Sequence, residues 1–137
     1  MRWEMPKKNA TRIAVFGLGR FGSRLAVRLA EHGADVLAVD SEADVVEEMD
    51  QRVSRAVCLD ATSEFALRKL DLDTIGLAVV SIGRNIQAGL LVTAALQRVG
   101  VKEIWVRAID ENQARILESM GVSRIISLEN EMARRVA

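Results

Sequence analysis

Three glycines, Gly17, Gly19 and Gly22, follow the apolar run "RIAVF" at the spacing G-x-G-x-x-G. The first glycine permits a tight turn, the second lets the backbone approach a phosphate, and the third lets a helix pack closely on a strand. The motif alone is weak evidence, but here it lies between a predicted strand and a predicted helix. Because a helix N-terminus attracts anions, the spacing predicts a phosphate-binding loop.

Two charged residues refine the chemistry of this loop. Asp40 ends the next apolar run, "DVLAVD", where a carboxylate accepts hydrogen bonds from both ribose hydroxyls and repels a 2′-phosphate, which disfavours NADP. Arg20 lies inside the loop, and a guanidinium pairs with phosphate oxygens in a fork, which favours ATP or ADP. The structural alternatives are a plain tight turn with Asp40 as a capping acid, and a solvated Arg20.

Short apolar runs alternate with helical patterns along the chain, and these elements must position the loop. Such alternation is typical of parallel strands joined by crossover helices. The predicted fold is therefore α/β, a Rossmann-like doubly wound six-stranded parallel sheet. Strands are predicted at 12–16, 35–40, 55–60, 76–82, 102–108 and 124–128. Helices are predicted at about 20–32, 42–51 after a Ser41 cap, from a Thr62 or Ser63 cap to Leu70, 84–99 and 110–120, with Gly33, Gly100 and Gly121 closing three of them.

Composition limits the class of protein. The 137 residues include 19 Lys+Arg and 19 Asp+Glu, so the formal net charge is zero and a sequence-wide attraction to nucleic acid is not expected. The single cysteine, Cys58 in "RAVCLD", is interpreted as a small core residue. With no secretory signal and no long apolar run, the sequence favours a soluble protein in a reducing compartment.

No catalytic acid or base is evident in the sequence, and the six strands and their helices leave no substrate domain. The one histidine, His32, falls at the far end of the helix that follows the glycine loop. No Cys/His cluster has zinc-ligand spacing, and the P-loop signature is absent. We therefore expect a nucleotide-binding module and not an enzyme. An NAD(H)-dependent oxidoreductase fragment and an interaction module with a vestigial site are the alternatives.

A set of segments in fixed order carries a resemblance. The segments "VFGLGRFG", "VLAVD", "LDAT", "SIGRNIQAG", "IWVRA" and "ESMGVSRIISLENEMARRVA" together resemble the N-terminal RCK domain of the KtrA/TrkA family of potassium-uptake regulators, with KtrA nearer. The resemblance implies a Rossmann domain that binds ATP, ADP or NAD(H). It also implies dimers that assemble into an octameric ring under a membrane potassium channel or transporter, at the cytoplasmic face of the membrane, where the ligand gates ion uptake.

The same resemblance implies roles for individual residues. The loop after the third strand lies near the base, and the loop after the fourth closes over the nucleotide. Arg107 reaches phosphate, within its own chain or across a subunit interface, and Glu129 helps to hold a cation beside the ATP phosphates. A helix N-terminal acid is the structural alternative for Glu129. The implied nucleotide contacts are Gly17, Leu18, Gly19, Arg20, Phe21, Gly22, Asp40, Ser41, Asp60, Ala61, Thr62, Ser81, Ile82, Gly83, Asn85 and Arg107.

The resemblance also divides the chain. Residues 1–10 are expected to form a flexible leader, 11–128 the Rossmann RCK domain, and 129–137 the start of a C-terminal crossover and dimerisation helix, with the second RCK subdomain missing. Leu128, Met132 and Val136 form an apolar stripe at i, i+4, i+8, and the helix at 84–99 is apolar over more than one face. Both features favour a homodimer.

Overall fold

The computed structural model describes residues 12–83 and 85–127 and contains one six-stranded parallel sheet. The strand order, β3-β2-β1-β4-β5-β6, reverses direction between β1 and β4, as in a doubly wound Rossmann fold. This confirms the predicted fold class. The strands are β1 (Arg12–Phe16), β2 (Asp35–Asp40), β3 (Arg55–Cys58), β4 (Ile75–Val80), β5 (Ile104–Ala108) and β6 (Arg124–Ser127).

Five helices join these strands. Gly33, Gly100 and Gly121 have positive φ angles of 91°, 101° and 76°, and each follows a helix end, as predicted. The helices are α1 (Arg20–Glu31), α2 (Ala43–Met49), α3 (Glu64–Leu67), α4 (Ile86–Val99) and α5 (Glu111–Met120), with a short 3₁₀ turn at Leu72–Thr74. The helix that was predicted to reach Leu70 ends at Leu67, after a single turn.

The core has two layers, one on each face of the sheet. Val15, Ala38 and Val79 lie under α1 and α2, whereas their strand neighbours Phe16 and Val80 lie under α3, α4 and α5. The central strands are buried on both faces, which explains why they read as continuous apolar runs and not as alternating ones. These runs hold the strands in a register that aligns their carboxyl ends.

Two local predictions are wrong. The N-cap position of α2 is Glu42 and not Ser41, and no side chain caps the helix; the Asp40 carboxylate accepts the Glu42 N–H at 2.9 Å. Cys58 is exposed and is not a core residue, since it ends β3 at the edge of the sheet, where no further strand covers it. Its thiol contacts the Ser41 carbonyl oxygen at 3.4 Å.

Several strand ends also differ from prediction. The third and fourth strands stop at Cys58 and Val80, so residues 59–60 and 81–82 belong to loops at the functional edge. The fifth strand begins at Ile104 and the sixth is described to Ser127. The predicted leader, Glu129, the crossover helix and the stripe of Leu128, Met132 and Val136 lie outside the described residues.

Candidate functional site

The candidate site lies at the carboxyl edge of the sheet, where the strand ends are aligned. Phe16 of β1 pairs with Val39 of β2 and Val80 of β4, and Val80 pairs with Val106 of β5. The segments that follow these strands therefore meet at one edge, on both sides of the β1/β4 switch point where ligands of doubly wound sheets bind. The end of β3 is aligned with the end of β2, and all the predicted contact residues in the described part of the chain lie in the segments after β1, β2, β3 and β4 or in the last residues of β2 and β5.

The glycine loop follows β1, and two of its glycines are sterically required. Gly17 has a φ of 95°, and a Cβ there would lie 2.7 Å from the Ser81 carbonyl oxygen. A Cβ at Gly22 would overlap the Gly17 carbonyl oxygen and the Ser81 hydroxyl. At Gly19, by contrast, a Cβ would meet nothing within 4 Å. The open side of the loop is therefore at Gly19, the position that the motif assigns to a phosphate.

Ser81 holds the loop from the other side of the switch point. It is only 3% exposed, its hydroxyl donates to the Gly17 carbonyl at 2.8 Å, and its N–H donates to the Phe16 carbonyl at 2.8 Å. The segment after β4 is thus fastened to the segment after β1. This bond is a structural role for Ser81 that the sequence did not suggest, and its contact with a nucleotide stays a prediction.

Asp40 fastens the loop to β2. One carboxylate oxygen accepts the Leu18 N–H at 2.7 Å and the other accepts the Glu42 N–H at 2.9 Å. A carboxylate offers about four acceptor positions, so each oxygen retains capacity for a further donor such as a ribose hydroxyl. The predicted ribose acid is therefore also the residue that orients the glycine loop and the start of α2.

Asp60 and Thr62 form a small turn after β3. The Thr62 hydroxyl donates to Asp60 Oδ1 at 2.6 Å and the Thr62 N–H donates to the same oxygen at 3.0 Å. These two bonds, the hydroxyl first, hold the pKa of Asp60 below its ordinary value. A carboxylate with a lowered folded pKa stabilises the fold above its unfolded pKa, and this contribution is lost as pH falls through the folded pKa.

Valine at Thr62 should raise the pKa of Asp60 toward its ordinary value, because it deletes the hydroxyl donor and leaves the backbone donor. Serine at Thr62 keeps a hydroxyl and should leave that pKa nearly unchanged. An NMR titration of the Asp60 carboxyl carbon in the three proteins measures the difference. Identical titrations of the valine and threonine proteins would contradict this cause of the shift.

Arg107, near the end of β5, lies against the first turn of α1. Its guanidinium carbon is 5.1 Å from the centroid of the Phe21 ring. Its Nη1 would be 3.4 Å from a Cβ at Gly83, so the side chain also borders the segment after β4. Its Nε is buried and has no hydrogen-bond partner among the described residues. A buried guanidinium donor without an acceptor fits an anion-binding position.

The remaining predicted contacts are less connected. Arg20 is exposed at the start of α1, and no hydrogen bond or ion pair joins its guanidinium to another residue of the described ranges. Asn85 caps α4, since its Oδ1 accepts the Ala88 N–H at 3.0 Å. His32 lies at the C-terminal end of α1, as predicted, where its ring Nδ1 is 2.8 Å from the Arg28 carbonyl oxygen.

The arrangement combines a helix N-terminus, an open glycine and a ribose-type carboxylate with Arg107, and so fits the phosphates and ribose of a nucleotide. Within residues 12–83 and 85–127, no group of three His, Cys, Asp or Glu residues is placed to hold a metal ion. In that same part of the chain, no helix is both long and apolar enough to cross a membrane.

Sequence relatives agree with this geometry. The chain is 39% identical over 131 residues to "Ktr system potassium uptake protein A" of Vibrio alginolyticus, covering 96% of this chain and 60% of that protein. It is 40% identical over 124 residues to "Ktr system potassium uptake protein C" of Bacillus subtilis, covering 90% of this chain and 56% of that protein. The chain thus spans little more than half the length of these curated relatives.

Solved structures share the fold. The TrkA-N domain of the inner membrane protein ybaL from Escherichia coli superposes with a TM-score of 0.80 at 23% identity, covering 93% of this chain and 94% of that one. The Kef CTD of Shewanella denitrificans in AMP-bound form superposes with a TM-score of 0.74 at 20% identity, covering 91% and 76%. The family model of the TrkA-N domain matches residues 13–128. The chain therefore belongs to the TrkA-N domain family.

Proposed function

We propose that this chain is the nucleotide-binding domain of a cytoplasmic regulator of a membrane potassium channel or transporter. It binds an adenine nucleotide, ATP or ADP ahead of NAD(H), and performs no chemistry on it. The observation that carries the proposal is the glycine loop at the N-terminus of α1, tied to the Asp40 carboxylate through the Leu18 N–H at 2.7 Å. The Ktr relatives support the potassium-transport assignment.

Regulation in this proposal is a shift of population between assembly states. A nucleotide changes the balance between two arrangements of a dimer or ring only by as much as it binds one arrangement more tightly. Three strand-end segments of one chain meet around the phosphate position, and hydrogen bonds that include those of Ser81 and Asp40 already join them, so a ligand there contacts several connected elements. The loss or gain of a terminal phosphate would then change the contacts of several elements at once.

Calorimetric titration with ATP, ADP, AMP, NAD and NADH, after co-purified nucleotide has been stripped, tests the proposal. We expect ATP and ADP to bind with affinities in the micromolar range or tighter and NAD to bind more weakly. Tighter binding of NADH than of ATP and ADP would contradict the proposed ligand and identify NADH instead. Turnover of NADH with an acceptor would contradict the non-catalytic role, and the absence of any nucleotide binding would contradict the function itself.

Alanine at Arg20 should reduce the preference for ATP over ADP by about threefold to tenfold, because a charge-assisted contact to the terminal phosphate is lost. The fold should not change, since the Arg20 side chain is exposed and makes no described contact. Arg24→Ala, one turn further along α1 and also exposed, is the matched control. Equal ATP/ADP ratios in the Arg20→Ala and Arg24→Ala proteins would remove Arg20 from the phosphate site.

A further inference from the structure

Arg107 presents an unusual combination of a charged side chain and incomplete hydrogen bonding. Alternate residues of β5 point to opposite faces of the sheet, and Ile104, Val106 and Ala108 are buried under the helices on one face. Arg107 therefore projects from the other face, the face on which α1 packs. There its Nε atom is shielded from water without a described acceptor. Such a donor is costly unless an acceptor arrives, so the position favours binding of an anion.

Phe21 is the residue that holds this guanidinium near the glycine loop. It lies in the first turn of α1, directly after Arg20 and before the sterically required Gly22. The face of its ring carries negative charge density, and the Arg107 guanidinium carbon is 5.1 Å from the ring centroid, within the distance at which a cation is attracted. The stacked arrangement also restricts a side chain that would otherwise have many rotamers.

The guanidinium also borders the segment after β4. A Cβ at Gly83 would be 3.4 Å from Arg107 Nη1, about an ordinary contact distance, so the guanidinium lies directly beside the segment after β4. The guanidinium thus lies beside both segments that flank the switch point, the α1 first turn and the segment after β4. All these contacts lie within one chain.

We infer that Phe21 is a positioning residue for the nucleotide site, and that its ring presents the Arg107 guanidinium to the terminal phosphate of the ligand. This inference rests on the proposed nucleotide binding and adds to it a residue that contributes to phosphate discrimination through Arg107. The α1–β5 contact would then contribute to the preference for ATP beside the contribution proposed for Arg20. In this inference Phe21 acts through Arg107, so its loss should act on phosphate recognition and not on binding of the adenine or the ribose.

Leucine at Phe21 should weaken ATP binding about fivefold to tenfold, because the cation–π contact is lost, and should leave AMP binding within about twofold. Phe21→Tyr keeps the ring face and should restore ATP affinity, whereas Phe21→Met keeps only apolar bulk and should not. Phe65→Leu is the matched control, since Phe65 is 74% exposed and stacks with Lys69 Nζ at 4.6 Å outside the site. It should change neither affinity.

A double-mutant cycle with Arg107→Gln identifies the mechanism. Each change removes the same interaction, the contact between the Phe21 ring and the Arg107 guanidinium. The double variant Phe21→Leu/Arg107→Gln should therefore bind ATP no more weakly than Arg107→Gln alone. Additive losses, or equal losses of ATP and AMP binding in Phe21→Leu and Phe21→Met, would overturn the inference while leaving the proposed function intact. Failure of the unaltered chain to bind either nucleotide would overturn both, and titration of that chain separates the two failures.

Discussion

Alanine at Gly22 should lower the free energy of unfolding by about 2–4 kcal/mol, because the new methyl group has no space. Its Cβ would overlap the Gly17 carbonyl oxygen and the Ser81 hydroxyl, which are backbone and a hydrogen-bonded buried side chain. Neither partner retreats without breaking the bond that joins the segments after β1 and β4. The gain in helix propensity from glycine to alanine, about 1 kcal/mol, is too small to offset this overlap.

The matched control is Gly19→Ala, in the same loop. A Cβ at Gly19 would meet nothing within 4 Å, and its φ of −71° suits any residue, so the free energy of unfolding should stay within about 0.5 kcal/mol. Nucleotide affinity should nevertheless fall about tenfold or more, because the methyl group occupies the open side of the loop. Urea unfolding and calorimetric titration measure the two quantities. Equal destabilisation by both variants would contradict this division of roles.

Asparagine at Asp40 should weaken binding of every ribose nucleotide by about tenfold or more and cost about 1–3 kcal/mol of stability. The amide retains one acceptor oxygen, so either the Leu18 N–H or the Glu42 N–H, now bonded at 2.7 and 2.9 Å, faces an NH₂ group instead. The lost charge also removes the repulsion toward a 2′-phosphate. Discrimination against NADP relative to NAD should therefore decrease.

Asp73→Asn controls for the change in charge. Asp73 is exposed and lies in the 3₁₀ turn before β4, at the opposite edge of the sheet from the glycine loop. This variant should bind NAD, NADP and ATP like the unaltered chain. Thermal unfolding without ligand, followed by titration with each nucleotide, separates the loss of loop geometry from the loss of ligand contact. An Asp40→Asn protein with unchanged stability but no nucleotide affinity would indicate that Asp40 acts through contact with the ligand and not by holding the loop.

Gly22→Ala and Asp40→Asn both test how the glycine loop is held in place. Ser81 and Asp40 fasten the glycine loop from β4 and from β2, so the loop is held before any ligand arrives. A site ordered in advance loses less conformational entropy on binding. A nucleotide that binds the folded chain should also stabilise it, by about 2.7 kcal/mol at a concentration of 100 times its Kd. Thermal shifts in the Gly19→Ala protein should be correspondingly small.

Local chemistry in the sequence was enough to predict the fold class and the position of the site. Apolar runs of the right length predicted six strands, and glycines at 33, 100 and 121 predicted three helix ends. Both features are local, because the strand pattern and the backbone φ of a residue depend on residues nearby in the chain. The glycine spacing after β1 and the acid at the end of β2 predicted which edge carries the candidate site. These features depend on residues close together in the chain.

Tertiary structure alone decided the contacts between distant residues. Ser81 reaches Gly17 across 64 positions, and Arg107 stacks on Phe21 across a larger separation, so no periodicity in the sequence marks either pair. The exposure of Cys58 depends on β3 being the edge strand, although "RAVCLD" is as apolar as a central strand. Strand order determines which neighbours cover a residue, and only folding sets strand order. The sequence thus predicted which loop would hold a phosphate, and the packed sheet decided which side chains lie beside that loop.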